Sequence, residues 1–406
     1  MTGCNIIKKA NNQNANNSIT KQEPTKGNGT KDLEVKPEPK PIDPLLEQIG
    51  KMSLDEKIGQ MIVVGLEGYD LNDNTRSLIQ KSKVGGFILF ANNVQNTNQL
   101  LNLLNSLKGE NLKNKVPLFL SVDEEGGRVT RMPKEFKKIP TNKTIGKIND
   151  ETLSNQIGST IAYEIGSFGF NMDFAPVLDV NSNPNNPVIG DRSFGSNTNV
   201  VSHLGIQTMK GIQSGNIIPV VKHFPGHGDT SVDSHLGLPS VNNTLTRLRQ
   251  FELIPFAEAI KNNAEVVMIA HILLAKIDSK NPSSMSKIII TDILRKDLNF
   301  NGVVITDDMT MGAIVKNYNI SEAAVKSVQA GTDIVLVCHG YDNEASVINA
   351  LKNAVAKGEI SKERIDQSVY RILILKKKYK LKDEIIKSVD VKGINNKINN
   401  VLKKTF

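Results

Sequence analysis

The sequence predicts an α/β protein folded as a single (β/α)8 barrel of the TIM type, and three observations carry that prediction. Eight short apolar runs alternate with longer amphipathic segments between Leu54 and Lys380, the order that wraps helices around a parallel sheet. Ionisable residues recur just past the ends of several different runs, at Asp123, Asp179, His223, His271 and Asp307. A barrel gathers such positions around one axis, whereas an open doubly wound sheet spreads them along an edge. The first run is followed by Leu66-Glu67-Gly68-Tyr69, which lacks the glycine-rich fingerprint of a dinucleotide-binding sheet.

The runs are Ile58–Leu66, Val84–Phe90, Val116–Val122, Phe170–Val180, Ile217–Phe224, Val266–His271, Gly302–Thr306 and Asp333–Cys338. They read as strands buried on both faces. Between them, Leu153 to Phe168 sets Ile157, Ile161, Ile165 and Phe168 on one helical face at steps of four and three. Glu344–Lys357 and Ser361–Lys378 are expected as closing helices. Residues 381–406, rich in lysine and asparagine, are expected to form a basic extension on the surface.

Residues 1–44 hold N-N-Q-N-A-N-N, G-N-G-T and K-P-E-P-K-P, with almost nothing to bury. They are expected to be a disordered, partly polyproline stalk ahead of a catalytic domain over residues 45–380. Thr2-Gly3-Cys4 resembles the end of a bacterial lipoprotein signal. A lipid on Cys4 would hold the domain to a membrane outside the cytoplasm; a cytoplasmic location is the alternative. Cys338 ends an apolar run and is expected in the core, and two cysteines make no disulfide scaffold. The net charge of +8 is spread over scattered lysines, and the chain has no Trp, a pattern that argues against nucleic-acid binding. No apolar run reaches the roughly 20 residues of a membrane span. A monomer is expected.

The densest chemistry lies in Lys222 to His235, K-H-F-P-G-H-G-D-T-S-V-D-S-H, where Pro225, Gly226 and Gly228 stop an apolar strand. Ligands and catalytic groups collect at such strand ends. The spacing also admits a metal site from His223, His227, Asp229 and His235, although it lacks the H-E-x-x-H or C-x-x-C pattern. Asp123 opens D-E-E-G-G-R-V-T-R, where a carboxylate and the arginines Arg128 and Arg131 could take sugar hydroxyls. A salt bridge from Asp123 or Glu124 to an arginine is the structural alternative. The irregular stretch N-P-N-N-P-V-I-G-D-R-S-F-G adds Asp191 and Arg192. In N-G-V-V-I-T-D-D-M-T-M-G, Asp307 is the first carboxylate to leave the run and the candidate nucleophile. Asp308 should point elsewhere, because neighbouring strand residues alternate faces.

Together these motifs resemble glycoside hydrolase family 3, in its β-N-acetylglucosaminidase branch, over roughly Leu45 to Lys380. The resemblance implies an exo-acting retaining enzyme that removes terminal β-linked N-acetylglucosamine, typically from peptidoglycan fragments, with no cofactor and no metal. It assigns Asp307 as nucleophile, His235 as general acid/base and Asp233 as its partner. Asp123, Arg131, Arg192, Lys222 and His223 match positions that hold the sugar. Too few residues follow the eighth run for the second domain of larger members. Three other functions remain open: a β-glycosidase of different sugar specificity, a non-catalytic wall-binding protein, and a metal-dependent hydrolase. A rival mechanism makes the substrate acetamido group the nucleophile, assisted by Asp307 and Asp308.

Overall fold

The computed structural model describes residues 43–403. Eight strands run in parallel: β1 (Ile62–Val64), β2 (Gly86–Leu89), β3 (Phe119–Val122), β4 (Met172–Asp173), β5 (Ile218–Phe224), β6 (Val266–Ile269), β7 (Val303–Thr306) and β8 (Val335–Val337). Each is hydrogen-bonded to its chain neighbour from β1 to β7, and β8 pairs with β1. A bridge between Ile305 and Ile334 completes the ring, where Thr306 N–H donates to the Ile334 carbonyl at 3.0 Å. All eight strands are buried along their whole length, which is why their sequences read as unbroken apolar runs rather than alternating ones. The expected (β/α)8 barrel is the fold found.

Every run is shorter as a strand than expected, and two are much shorter. Ser53 accepts from the Glu56 N–H while Glu56 returns to the Ser53 N–H, and this capping box starts the helix Leu54–Gln60 through the front of the first run. In the fourth run only Met172 and Asp173 are strand, and the chain then touches β5 again through a bridge from Val177 to Lys222. The helix expected from Leu153 spans Glu151–Phe168, and the closing helices span Tyr341–Ala356 and Lys362–Lys378.

The C-terminal extension does more than decorate the surface. Asp390 caps a helix over Val391–Leu402 that buries Ile394, Ile398 and Val401, a stripe at steps of four and three. It packs on the helix Glu151–Phe168, and Asn395 bonds the Glu135 carbonyl and the Lys137 N–H. Residues 1–42, including Cys4 and nearly all of the expected stalk, lie outside the described residues. Cys338 is buried, as expected.

At the end where the strands begin, Lys376 from the last barrel helix turns inward. Its Nζ donates to Gln60 Oε1 at 2.8 Å, the Gly85 carbonyl at 2.9 Å and the Pro117 carbonyl at 2.7 Å, and it stands over the Phe119 ring. Nearby, the buried Asp333 carboxylate takes Arg295, Arg364 and Arg371 together with the Val304 N–H.

Other carboxyl groups, Glu164, Glu124 and Asp173 among them, are buried without a cation of that kind. Burial pushes Glu164 from 4.5 up to about 9, with the charges of Glu124 and Asp173 adding to it. Burial likewise lifts Glu124 to about 7 and Asp173 well above its ordinary value. The folded barrel keeps protons that the unfolded chain gives up near pH 4.5. The stability they contribute is therefore complete below about pH 4.5 and is lost as pH rises through about 7 and then 9. Calorimetry should show the melting temperature falling across that window, and Glu164→Gln should make the fall shallower by several degrees. Parallel curves for the two proteins would refute this.

Candidate active site

The ends of β3, β5 and β7 build the floor of a cavity at the C-terminal mouth of the barrel. Lys222, buried near the end of β5, places Nζ 2.7 Å from Asp123 Oδ1 and 2.6 Å from Glu125 Oε1. Glu125 also receives Arg192 in a forked contact, Nε to Oε2 at 2.8 Å and Nη2 to Oε1 at 2.7 Å. Burial alone would raise Glu125, but Arg192 and Lys222 hold it well below the usual carboxylate range. Burial would likewise lower Lys222, and Asp123 and Glu125 instead lift it. Both partners therefore stay ionised in a site that water barely reaches.

His223 follows Lys222 and is fixed from behind. Its Nδ1 lies 2.6 Å from Asp179 Oδ2, and its Nε2 lies 3.4 Å from Arg192 Nη2. Asp179 Oδ1 accepts the His227 N–H at 2.6 Å, so one buried carboxylate sets both the ring and the turn that follows. Gly228 presses that turn against the chain: a Cβ there would sit 1.8 Å from the Val180 carbonyl oxygen.

Asp307 leaves β7 directly and is partly exposed to the cavity. Its Oδ1 accepts the Asp308 N–H at 2.8 Å. Burial opposes its charge, yet His223, His271 and the Asp308 N–H together keep its carboxyl below the ordinary value. Asp308 is otherwise engaged, as strand alternation predicts: Oδ1 accepts from Thr310 N–H at 2.9 Å and Cys338 N–H at 3.0 Å, and Oδ2 from the Thr310 hydroxyl. It braces β7 against β8. Behind it, His271 bonds the Asp308 carbonyl at 2.9 Å, and burial lowers its pKa.

The rim carries the second group. His235 Nδ1 lies 2.8 Å from Asp233 Oδ1, which also accepts the His235 N–H at 2.8 Å. Burial works against the Asp233 charge, but the His235 N–H and ring keep its pKa low. The His235 side chain is 64% exposed, open to an incoming substrate and to water.

All eight residues expected from the sequence, Asp123, Arg131, Arg192, Lys222, His223, Asp233, His235 and Asp307, line one cavity of about 270 Å³. That lies at the small end of ligand pockets, about 300 Å³ upward, and suits one sugar ring. Arg131 contributes a buried Nε with no hydrogen-bond partner. Clefts of about 600 Å³ beside Phe300 and about 350 Å³ beside Gln48 open instead where the strands begin, the end that stabilises barrels rather than the end that carries their chemistry.

The salt bridge weighed for Asp123 or Glu124 belongs to other residues. Asp123 pairs with Lys222, and Glu125 with Arg192, while Glu124 turns inward to the Thr130 hydroxyl and the Arg131 N–H. Glu125 was legible in principle, because it stands two residues from Asp123 and shares its side. Asp191 pairs with Arg128 at the surface. The histidines do not converge on a metal: His223 faces Asp179, His235 faces Asp233, and both nitrogens of His227 meet hydroxyls, Thr230 Oγ1 at 2.8 Å and Ser234 Oγ at 3.2 Å. Among the described residues no group of three metal-binding side chains is assembled.

A carboxylate on the floor and an Asp–His pair on the rim, at the mouth of a parallel barrel, fit a glycoside hydrolase. The profile of the Glycosyl hydrolase family 3 N terminal domain matches residues 53–375, and the chain belongs to that family. It is 38% identical to Beta-hexosaminidase A of Pseudoalteromonas piscicida over 325 residues, 74% of this chain and 54% of that one. A Beta-hexosaminidase of Neisseria meningitidis serogroup C is 37% identical over 288 residues, 69% of this chain and 78% of that one. The solved family 3 β-N-acetylglucosaminidase of Paenibacillus sp. str. FPU-7 superposes with a TM-score of 0.82 at 38% identity, covering 87% of this chain and 69% of that one. The chain thus spans about half the length of the first of these relatives and more than two thirds of the other two.

Proposed function

We propose that the protein is an exo-acting, retaining β-N-acetylglucosaminidase that removes terminal N-acetylglucosamine from peptidoglycan fragments and works as a monomer. The observation that carries this reading is the difference between the two adjacent aspartates. Asp307 faces the cavity ionised, with one oxygen on a backbone N–H, while Asp308 spends its oxygens on Thr310 and Cys338. One carboxylate is therefore available to the anomeric carbon, which favours a glycosyl-enzyme over assistance to the acetamido group by a pair.

In this mechanism Asp123, Lys222, Arg192, His223 and Arg131 hold the terminal sugar. Asp307 attacks the anomeric carbon as the glycosidic bond breaks, and His235 gives its proton to the departing oxygen. His235 then takes a proton from water, whose oxygen displaces Asp307 and restores the original configuration. Histidine is a side chain suited both to giving and to taking a proton, so it serves both steps without the burial a glutamic acid needs. Asp233 fixes the ring and stabilises its cation.

The test is release of nitrophenol from a nitrophenyl β-N-acetylglucosaminide and from the glucoside, with muropeptides and chitin oligosaccharides as natural competitors. The expected result is turnover of the acetamido sugar and of muropeptides. Turnover of glucoside alone would overturn the sugar assignment, and a folded protein inert on every glycoside would point to a binding role. The same reading places the enzyme outside the cytoplasm on a lipid at Cys4, and mass spectrometry of the N-terminal peptide from the native membrane fraction should find that lipid.

A further inference from the structure

Asp233 and His235 ride on an exposed loop, but both limbs of that loop are tied to one buried ring. His227 meets Thr230 through Nδ1 and Ser234 through Nε2, and Ser234 is the residue between the two members of the acid pair. The proton positions follow from the partners. The Thr230 hydroxyl lies 3.0 Å from the His227 carbonyl and accepts from the Asn186 amide at 3.2 Å. It gives its proton to that carbonyl, so its oxygen takes Nδ1–H, and Nε2 is left to accept from the Ser234 hydroxyl. Burial, with the charge of His223 adding to it, holds His227 down to about 4. One donor and one acceptor therefore persist across the neutral range.

The far limb is seated as well. The Ser234 carbonyl accepts the Ala313 N–H at 2.9 Å, and the Leu236 carbonyl accepts Lys316 Nζ at 2.8 Å. Gly312 lies so close that a Cβ there would stand 2.4 Å from the His235 carbonyl oxygen. The short helix Gly312–Val315 and its capping residue Lys316, which supply these contacts, follow Asp307 in the chain. The segment that follows the nucleophile thus also seats the loop bearing the acid.

We propose that His227 and Ser234 form a clasp that holds the Asp233–His235 pair at the cavity, making His227 a positioning residue for proton delivery to the leaving group. The inference rests on the acid/base role given to His235 above. A lost clasp should matter only as far as the leaving oxygen needs a proton.

Full-length Ser234→Ala and His227→Gln should be compared with wild type and His235→Ala on N-acetylglucosaminides whose leaving groups run from dinitrophenol to an alkyl alcohol. The clasp variants should stay within about threefold of wild type on the dinitrophenyl substrate in the step that forms the glycosyl-enzyme, and fall about 100-fold on the alkyl substrate. Ser234→Thr, which keeps the hydroxyl, should recover most of the loss. Equal losses on every leaving group, or none, would overturn the clasp while a graded His235→Ala series left the acid assignment standing. A flat His235→Ala series would instead overturn the acid assignment and the clasp with it. Should His227→Gln fail to fold, Ser234→Ala and Ser234→Thr decide alone.

Discussion

Asp307→Ala is expected to leave a folded barrel that has lost turnover by at least about a thousandfold, on activated and unactivated substrates alike. Asp307 faces the cavity from its floor with its charge maintained by its surroundings and one oxygen outside the bond to the Asp308 N–H. In the proposed mechanism its loss removes the group that bonds to the anomeric carbon, so a better leaving group does not compensate. Azide should restore part of the rate by entering the emptied space, and its product should be the α-glycosyl azide, inverted at the anomeric carbon. Asp308→Asn should behave differently. It loosens the contacts to Thr310 and Cys338 and costs stability first, with activity down by about tenfold. If the two variants lost activity equally and no fluorosugar adduct formed on Asp307, the pair would be acting together on the acetamido group and the covalent mechanism would be wrong.

Lys222→Met is expected to produce the largest loss of stability among the site variants. The ammonium is enclosed by Asp123 and Glu125 and is almost completely buried. Methionine keeps the length of the chain and leaves two carboxylates facing each other. Breaking one side of a buried ion pair costs about 3–5 kcal/mol. Arg192 still holds Glu125, which puts the loss at the lower end, about 3 kcal/mol. Substrate affinity should fall too, because Asp123 loses the cation that orients it. Adding Glu125→Gln should recover part of the stability but none of the affinity. A urea midpoint unchanged in Lys222→Met would show that the pair is better hydrated than its burial indicates.

What the sequence disclosed of this fold followed from burial. Strands covered on both faces must be apolar throughout, so the runs were visible without reference to their neighbours. Their edges were less so: Ile58 stands just ahead of the apolar Met61 to Val64, and only the Ser53 and Glu56 cap marks the residues up to Gln60 as helix. The closing helix Val391–Leu402 was hidden because its stripe of Ile394, Ile398 and Val401 is embedded in lysine and asparagine, a composition that suggests a solvated tail. At the site, the motif residues do share one cavity, since the strand ends that carry them are fixed by the barrel. The partners that tune them were harder to see. Glu125 and Asp179 lie far along the chain from Arg192 and His223, and only closure of the ring brings these charges into contact.

Lys376 has a consequence for how the molecule comes into being. Its ammonium satisfies the side chain of Gln60 and the carbonyls of Gly85 and Pro117, groups made at least 259 residues earlier in synthesis. Until that last helix leaves the ribosome, the starts of the first three strands have no cap. Half-made barrels are therefore open at the base and depend on chaperones or on speed, since contacts this distant form late. A truncation just before Lys376 should be aggregation-prone even though every strand and every residue of the cavity is present.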